Sequence, residues 1–461
     1  MKRTCWLLAL LLAYHPAEAE ESGPLRIRIS HLQGLLDMAR SYCGGQGESV
    51  ALQRLLESAG HRSGEPPEAM VRFCSVDIGR NAAGLAGRHP AYDSIWSSPW
   101  QHALNASVRT TGIASLLDET AGAFTLDEQQ ALADGLRYVE PLYRRLVEDR
   151  LGAEAKHMGD SLSSYMAGHD VASLMRSLST FYATPWPDDM PIWVGLSPLP
   201  AGSGGFSATA NGNVIRSFMP VDYDRPDIYS AVISHEFGHL LYANMPAQKV
   251  DELAAAFNAS SSPRRRFAEI WLNEALATAA GNGWVYRRLN GTDEHGDWYD
   301  SIVIDPYAKA IAPAVHGALD AGRALDGPMV EAFVAGFDAA HPDALRDPEV
   351  ILPHAAIVAD ADDRTLAELR AIYFRQVNVR RVDAVRPGAR PDAELPPTVL
   401  RVEFGRAGTD DKTWHRQIRS DGGLTFSTLL DTPAAFEPAL TELVALIRAD
   451  TWDSPDHHPT R

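Results

Sequence analysis

Cysteine is nearly absent. The 461-residue chain holds 3, Cys5, Cys43 and Cys74, none in Cys-x-x-Cys spacing, which excludes a disulfide-dense scaffold, a cysteine zinc finger and a dithiol redox motif. Basic residues are in deficit as well. Lys and Arg total 42 against 60 Asp and Glu, a net charge of -18, so the clustered positive surface that displaces counterions from nucleic acid is not expected, and anionic membranes are disfavoured for the same reason. Long apolar runs are missing too: none approaches the ~20 residues of a membrane-spanning helix. What remains is globular arithmetic. A hydrophobic share of 45% and a charged share of 22% suit roughly two to four domains with real cores.

The first residues have the order of a secretory address. Lys2 and Arg3 precede a short apolar core, Trp6 to Ala13, and Ala17-Glu18-Ala19 offers a small-x-small cleavage site. Residues 1–19 are therefore expected to be an export signal, and the rest a soluble periplasmic or secreted protein. Cys5 leaves with that segment. Cys43 and Cys74 then form an even pair in an oxidising compartment, where a disulfide is expected.

Residues 20–185 read as a helical N-terminal region. Leu132, Leu136, Val139, Tyr143, Leu146 and Val147 recur at three- and four-residue steps, and Thr125-Leu-Asp-Glu opens that helix as a capping box. The pattern changes after Pro185. Ile192 to Leu196, Gly204 to Ala210 and Val214 to Met219 read as short strands, the last two joined by Asn211-Gly212-Asn213, a hairpin signal. The small residues of Gly204 to Ala210 suit an edge strand lining a cleft. Residues 186–382 are expected to form one core, helical from Asp227 onward. The segment 383–397, with Pro387, Pro391, Pro396 and Pro397, reads as a linker, and 398–461 as a small α+β appendage. His457-His458 has no helix or turn to make it a ligand pair. The fold class expected is α+β, mostly helical.

The chemistry concentrates in one segment. His235 and His239 are four residues apart on an apolar helix, so both imidazoles leave one face and can hold a single Zn²⁺, with Glu236 beside them to take a proton from a water that the metal activates. Catalytic zinc needs a third protein ligand. Glu274, in the apolar run Ile270 to Ala279, is a carboxylate that is costly to bury unless it is paired or metal-bound, and is the best candidate.

His235-Glu-Phe-Gly-His239 followed by Trp271-Leu-Asn-Glu-Ala275 resembles the gluzincin metallopeptidases, nearest to their aminopeptidase N-like branch. The resemblance covers roughly residues 190–320. It implies a thermolysin-like zincin core, zinc on His235, His239 and Glu274, and Glu236 as general base. Pro306-Tyr-Ala-Lys-Ala is similar to the branch's Tyr-x-Lys-Gly segment, which makes Tyr307 the expected oxyanion donor. His316, nine residues on and on the opposite helical face, is the other candidate, because neutral histidines fill that role elsewhere among gluzincins. One departure matters. The amine-anchoring Gly-x-Met-Glu-Asn segment of the aminopeptidases is missing, and Ile192 to Met219 contains no Asp or Glu. The expectation is an exported zinc metallopeptidase that cuts internal bonds of a peptide or protein. The rivals are an aminopeptidase, a zinc hydrolase of non-peptide amides or esters, and a binding protein with a vestigial zincin fold.

Overall fold

Two mixed sheets organise the computed structural model, which describes residues 25–44, 49–61, 65–76, 98–204, 207–390, 394–405, 414–450 and 452. The expected export signal, Cys5 and His457-His458 lie outside the described residues. The first sheet contains β1 (Leu25–Ile29), β2 (Ile192–Leu199), β3 (Ser207–Asn211) and β4 (Val214–Pro220), in the order β1-β2-β4-β3. β1 and β4 flank β2 in parallel, and β3 runs antiparallel to β4 as the edge strand. Asn211 pairs with Val214 across the two-residue turn anticipated from Asn-Gly-Asn, and Gly212 supplies the positive φ of 63° that such a turn demands.

Strand periodicity splits this sheet between two cores. Ile192, Val194, Leu196, Ile215 and Met219 face the larger core, while Leu199 and Phe218 face the N-terminal helices. Those helices include His31–Cys43, Glu68–Cys74 and Leu126–Tyr143. The capping box forms as expected, with Thr125 Oγ1 accepting from the Glu128 N–H and Glu128 Oε2 accepting from the Thr125 N–H. All six periodic residues of that segment are buried. The helix continues past those residues, through a π-helical turn, Arg144–Glu148, into Asp149–Gly168. Cys43 and Cys74 are disulfide-bonded, closing the first of these helices onto the second. The N-terminal region is not purely helical, however. β1 belongs to the same sheet as the hairpin, because Leu25 to Ile29 finds its parallel partner 167 residues later, at Ile192 to Leu196.

The second sheet has the order β6-β5-β7-β9-β8, from β5 (His354–Ala359), β6 (Arg381–Val385), β7 (Thr398–Phe404), β8 (His415–Ile418) and β9 (Leu424–Leu430). β7, β9 and the helix Phe436–Ala449 correspond to the expected appendage. Its boundary is earlier than expected. β5 is an interior strand of the sheet, paired with both β6 and β7, and the supposed linker 383–397 begins inside β6. A five-residue buried apolar run such as Ala355 to Ala359 carries no alternation that separates it from a helix. The chain is thus α+β and mostly helical. No helix among the described residues is long and apolar enough to cross a membrane.

Candidate metal centre

The helix Pro226–Ala243 begins at a proline, whose missing N–H is no loss in a first turn. It is pinned by buried Tyr229, Ile233, Phe237, Leu240 and Leu241. This anchoring aims His235 and His239 together, their Nε2 atoms 3.0 Å apart. Glu274 comes from the second helix, Arg265–Ala277, and its Oε2 lies 3.8 Å from His235 Nε2 and 3.6 Å from His239 Nε2. One ligand atom from each of the three residues lies within 4.8 Å of the others. Ligands about 2.0–2.1 Å from a tetrahedral ion sit roughly 3.3 Å from one another, a spacing that these distances bracket. Glu274 Oε2 is buried without a hydrogen-bond partner, a cost that a cation between it and the imidazoles removes. His239 directs its other nitrogen, Nδ1, to Asn273 Oδ1 at 3.1 Å, which leaves Nε2 as the metal-facing atom. The donor set therefore fits a metal ion.

Close backbone approach makes this convergence possible. A π-helical stretch, Thr278–Val285, continues the second helix, a distortion frequent at functional sites. A Cβ on its Gly281 would lie 2.4 Å from the backbone nitrogen of His235. Only glycine lets the two ligand helices touch there.

Charge is distributed unevenly over the group. Burial, reinforced by His239, pushes His235 down to about 3. Burial also opposes charge on His239, yet the attraction of Glu274 and Glu236 raises it to about 9. Burial opposes charge on Glu274 as well, but His239, His235 and Arg380 hold it at about 2. Glu236 is 8% exposed, and burial lifts it to about 7 against the pull of His239 and the Ala210 N–H. That N–H belongs to edge strand β3, so the strand lies over Glu236.

Two expected residues fall elsewhere. Tyr307 is fully buried, its hydroxyl donating to the Ala268 carbonyl at 3.2 Å and its ring edge-on to Phe337. Ala268 precedes Glu274 on the same helix by six residues, about 9 Å along the axis and ~120° round it, so Tyr307 is a core residue and not a member of the metal group. His316 is also engaged elsewhere, with Nε2 3.0 Å from the Ala279 carbonyl and its ring stacked on Trp298.

The tyrosine at the site is Tyr299. Its ring stacks on His235 with centroids 5.6 Å apart. Burial and Glu274 hold its hydroxyl above the ordinary value, which keeps it a proton donor. The segment around Tyr307 contributes indirectly. Asp305 Oδ1 accepts from the backbone N–H groups of Trp298 and Tyr299, and Lys309 closes on Asp305 Oδ2 at 2.7 Å. Arg380, from the residue before β6, reaches the group from the second sheet, 3.6 Å from Glu274 Oε1 and 6.0 Å from the Tyr299 ring centre. Neither residue carries a spacing signal in the sequence.

Two of the three acids that follow the hairpin are committed to structure, and the third, Asp224, lines a cavity with Tyr223 and Met219. Asp222 accepts from the Gly202 N–H, and Asp227 pairs with Arg225. A cavity of about 540 Å³ beside β1, lined by His31, Tyr143 and Glu148, includes none of the metal group. Compared with known proteins, the chain matches no family model, no curated protein and no solved structure.

Proposed function

We propose that the chain is an exported, zinc-dependent metallopeptidase of the gluzincin kind with a thermolysin-like core, hydrolysing internal peptide bonds. The observation that carries this reading is the placement of Glu236, a buried carboxylate beside three converging ligand atoms and beneath an edge strand. A pure scaffold has no use for that acid. Zinc held by His235, His239 and Glu274 would supply Lewis acidity, polarising the scissile carbonyl and acidifying water.

The protein's own residues supply the rest. β3 is an edge strand of small residues, on which an extended substrate lies by β-addition beside the Ala210 N–H from which Glu236 accepts. Glu236 takes the proton of the attacking water onto its carboxylate and passes it to the departing amine. The Tyr299 hydroxyl, and not that of Tyr307, donates to the oxyanion. With Asp222 and Asp227 engaged elsewhere and no acid on β2, β3 or β4, an N-terminal amine finds no counter-charge on the hairpin, and the chain runs past on both sides.

Cleavage-site mapping on a mixed peptide library tests this. The wild-type protein with stoichiometric zinc should cut acetylated peptides at internal positions, and Glu236→Gln with equal zinc should not. Equal cleavage by both proteins, or products arising only by stepwise removal of N-terminal residues, would overturn it.

A further inference from the structure

We propose that Arg380 anchors a carboxylate of the substrate at the metal group, supplied by a free C-terminus or by an Asp or Glu side chain beside the bond that is cut. The inference rests on the hydrolase reading and names its substrate class.

Among the described residues, Arg380 is the arginine that acts on Glu274 at this group. Its guanidinium lies 3.6 Å from Glu274 Oε1, an ion-pair distance but outside hydrogen-bond range. Its forked N–H donors are therefore not consumed by that oxygen. Glu274 is the one carboxylate within ion-pair distance of it among the described residues, and Glu274 turns its other oxygen to the histidines. A cation held by Glu274 draws on the same negative charge and leaves Arg380 less compensated.

The arginine is also preorganised and reachable. Its backbone N–H donates to the Pro353 carbonyl at 2.9 Å, as does that of Arg381 at the start of β6. Its stem is thereby fixed between β5 and β6, while its side chain keeps 37% of its surface exposed. A hydrogen bond to the Tyr299 hydroxyl uses one of its donors and, with the contact to that ring, which stacks on His235, aims the guanidinium along the metal group with the other donors left over. An ammonium group would be repelled there. A carboxylate can take two parallel N–H bonds from the guanidinium, the geometry in which arginine surpasses lysine.

The test uses the full chain as Glu236→Gln, loaded with zinc so that binding is measured without turnover. Three acetylated hexapeptides share one sequence: a free acid, its C-terminal amide, and an amide with glutamate in the penultimate place. Calorimetric Kd values are expected to be about 10-fold or more tighter for at least one carboxylate form than for the plain amide, a typical effect of a charge-assisted hydrogen bond. Preference for the free acid identifies the C-terminus as the source, and preference for the glutamate peptide identifies the side chain. Adding Arg380→Gln should collapse the ratio to about one at unchanged zinc content, and Arg380→Lys should keep part of it. Equal binding of all three peptides, no binding of any, or a preference that survives Arg380→Gln overturns the proposal. So does an Arg380→Gln protein that loses zinc while its peptide ratio stays fixed, which would make the residue a positioner of Glu274. The two readings fail separately. Carboxylate preference with no cleavage by the wild type removes the hydrolase alone, and cleavage without preference removes the Arg380 anchor alone.

Discussion

Acids lie on both faces of the first sheet, and the groups that meet them differ in kind. On the N-terminal face Asp37 is 1% exposed. Burial raises its pKa, but Arg216 at 3.7 Å, Arg40, Ser197 and Gln33 all act to keep its charge. On the other face Glu274 is held at about 2, against its burial, by His239, His235 and Arg380, and its Oε2 points at two imidazole nitrogens. Glu236 beside it lacks any arginine or lysine among the groups acting on it. Asp37 meets guanidinium groups, a hydroxyl and an amide, with no imidazole or second carboxylate among the groups acting on it, and belongs to the scaffold. Two imidazole nitrogens converging on a carboxylate oxygen are metal-ligand atoms, and a cation there takes the place of the proton that His239 otherwise holds.

If the faces differ in this way, changes on one should move activity or metal and leave stability, and changes on the other should do the reverse. The largest effect is expected at Glu236. Glu236→Gln should lower kcat about 1000-fold, within the range for a lost general base, with zinc content and melting temperature held, since a neutral isostere suits a site that already disfavours charge. Steady-state kinetics, elemental analysis and calorimetry check this together.

On the opposite face, Cys43→Ser with Cys74→Ser should destabilise the chain by about 3 to 4 kcal/mol, the chain-entropy value for a loop of 31 residues. Denaturant titration reads it, and zinc stoichiometry should not change. Asp37→Ala should cost about 3 kcal/mol by leaving Arg216 buried without its carboxylate. Loss of zinc in this variant at temperatures where it stays folded would break the comparison.

Two tyrosines make the sharpest contrast within one face. Tyr299→Phe should reduce kcat about 100-fold with KM nearly fixed. Tyr307→Phe should leave kcat alone and lower stability by about 1 kcal/mol, the net worth of its bond to Ala268. An exchange of these outcomes would return the oxyanion role to Tyr307.

A further effect, graded with pH, is expected on metal binding. His239 is held up at about 9, so below that pH a metal must displace its proton, whereas His235, at about 3, and Glu274, at about 2, offer free lone pairs. Apparent affinity should therefore rise about tenfold per pH unit up to about 9 and then level, with one proton released per ion bound. Competition with a chromogenic chelator across pH 7.5–9.5 measures the slope. A flat profile would show that His239 carries no such proton.

Features set by a few adjacent residues were legible from the chain itself. The His-x-x-x-His pair follows from helical pitch alone, the Thr125 capping box from two reciprocal hydrogen bonds, and the hairpin from a turn that only a few residues tolerate. Glu274 was legible through its mismatch with an apolar helix. These are short-range consequences of backbone geometry, and the tertiary structure preserves them.

What the sequence determined by itself was therefore the inventory of groups and their local spacing; which of them meet was decided only in three dimensions. Glu274 joins the histidines because Gly281 lets one helix rest against the other at His235. Tyr299 supplants Tyr307 because Asp305 and Lys309 tie its loop over the metal group. β1, β5 and β6 find parallel partners, and Arg380 arrives beside Glu274 from a strand start more than a hundred residues away. Parallel pairing and side-chain convergence are contacts between distant segments, chosen by the packing of whole elements. A local pattern has no term for that packing, because its energy exists only once the elements are assembled.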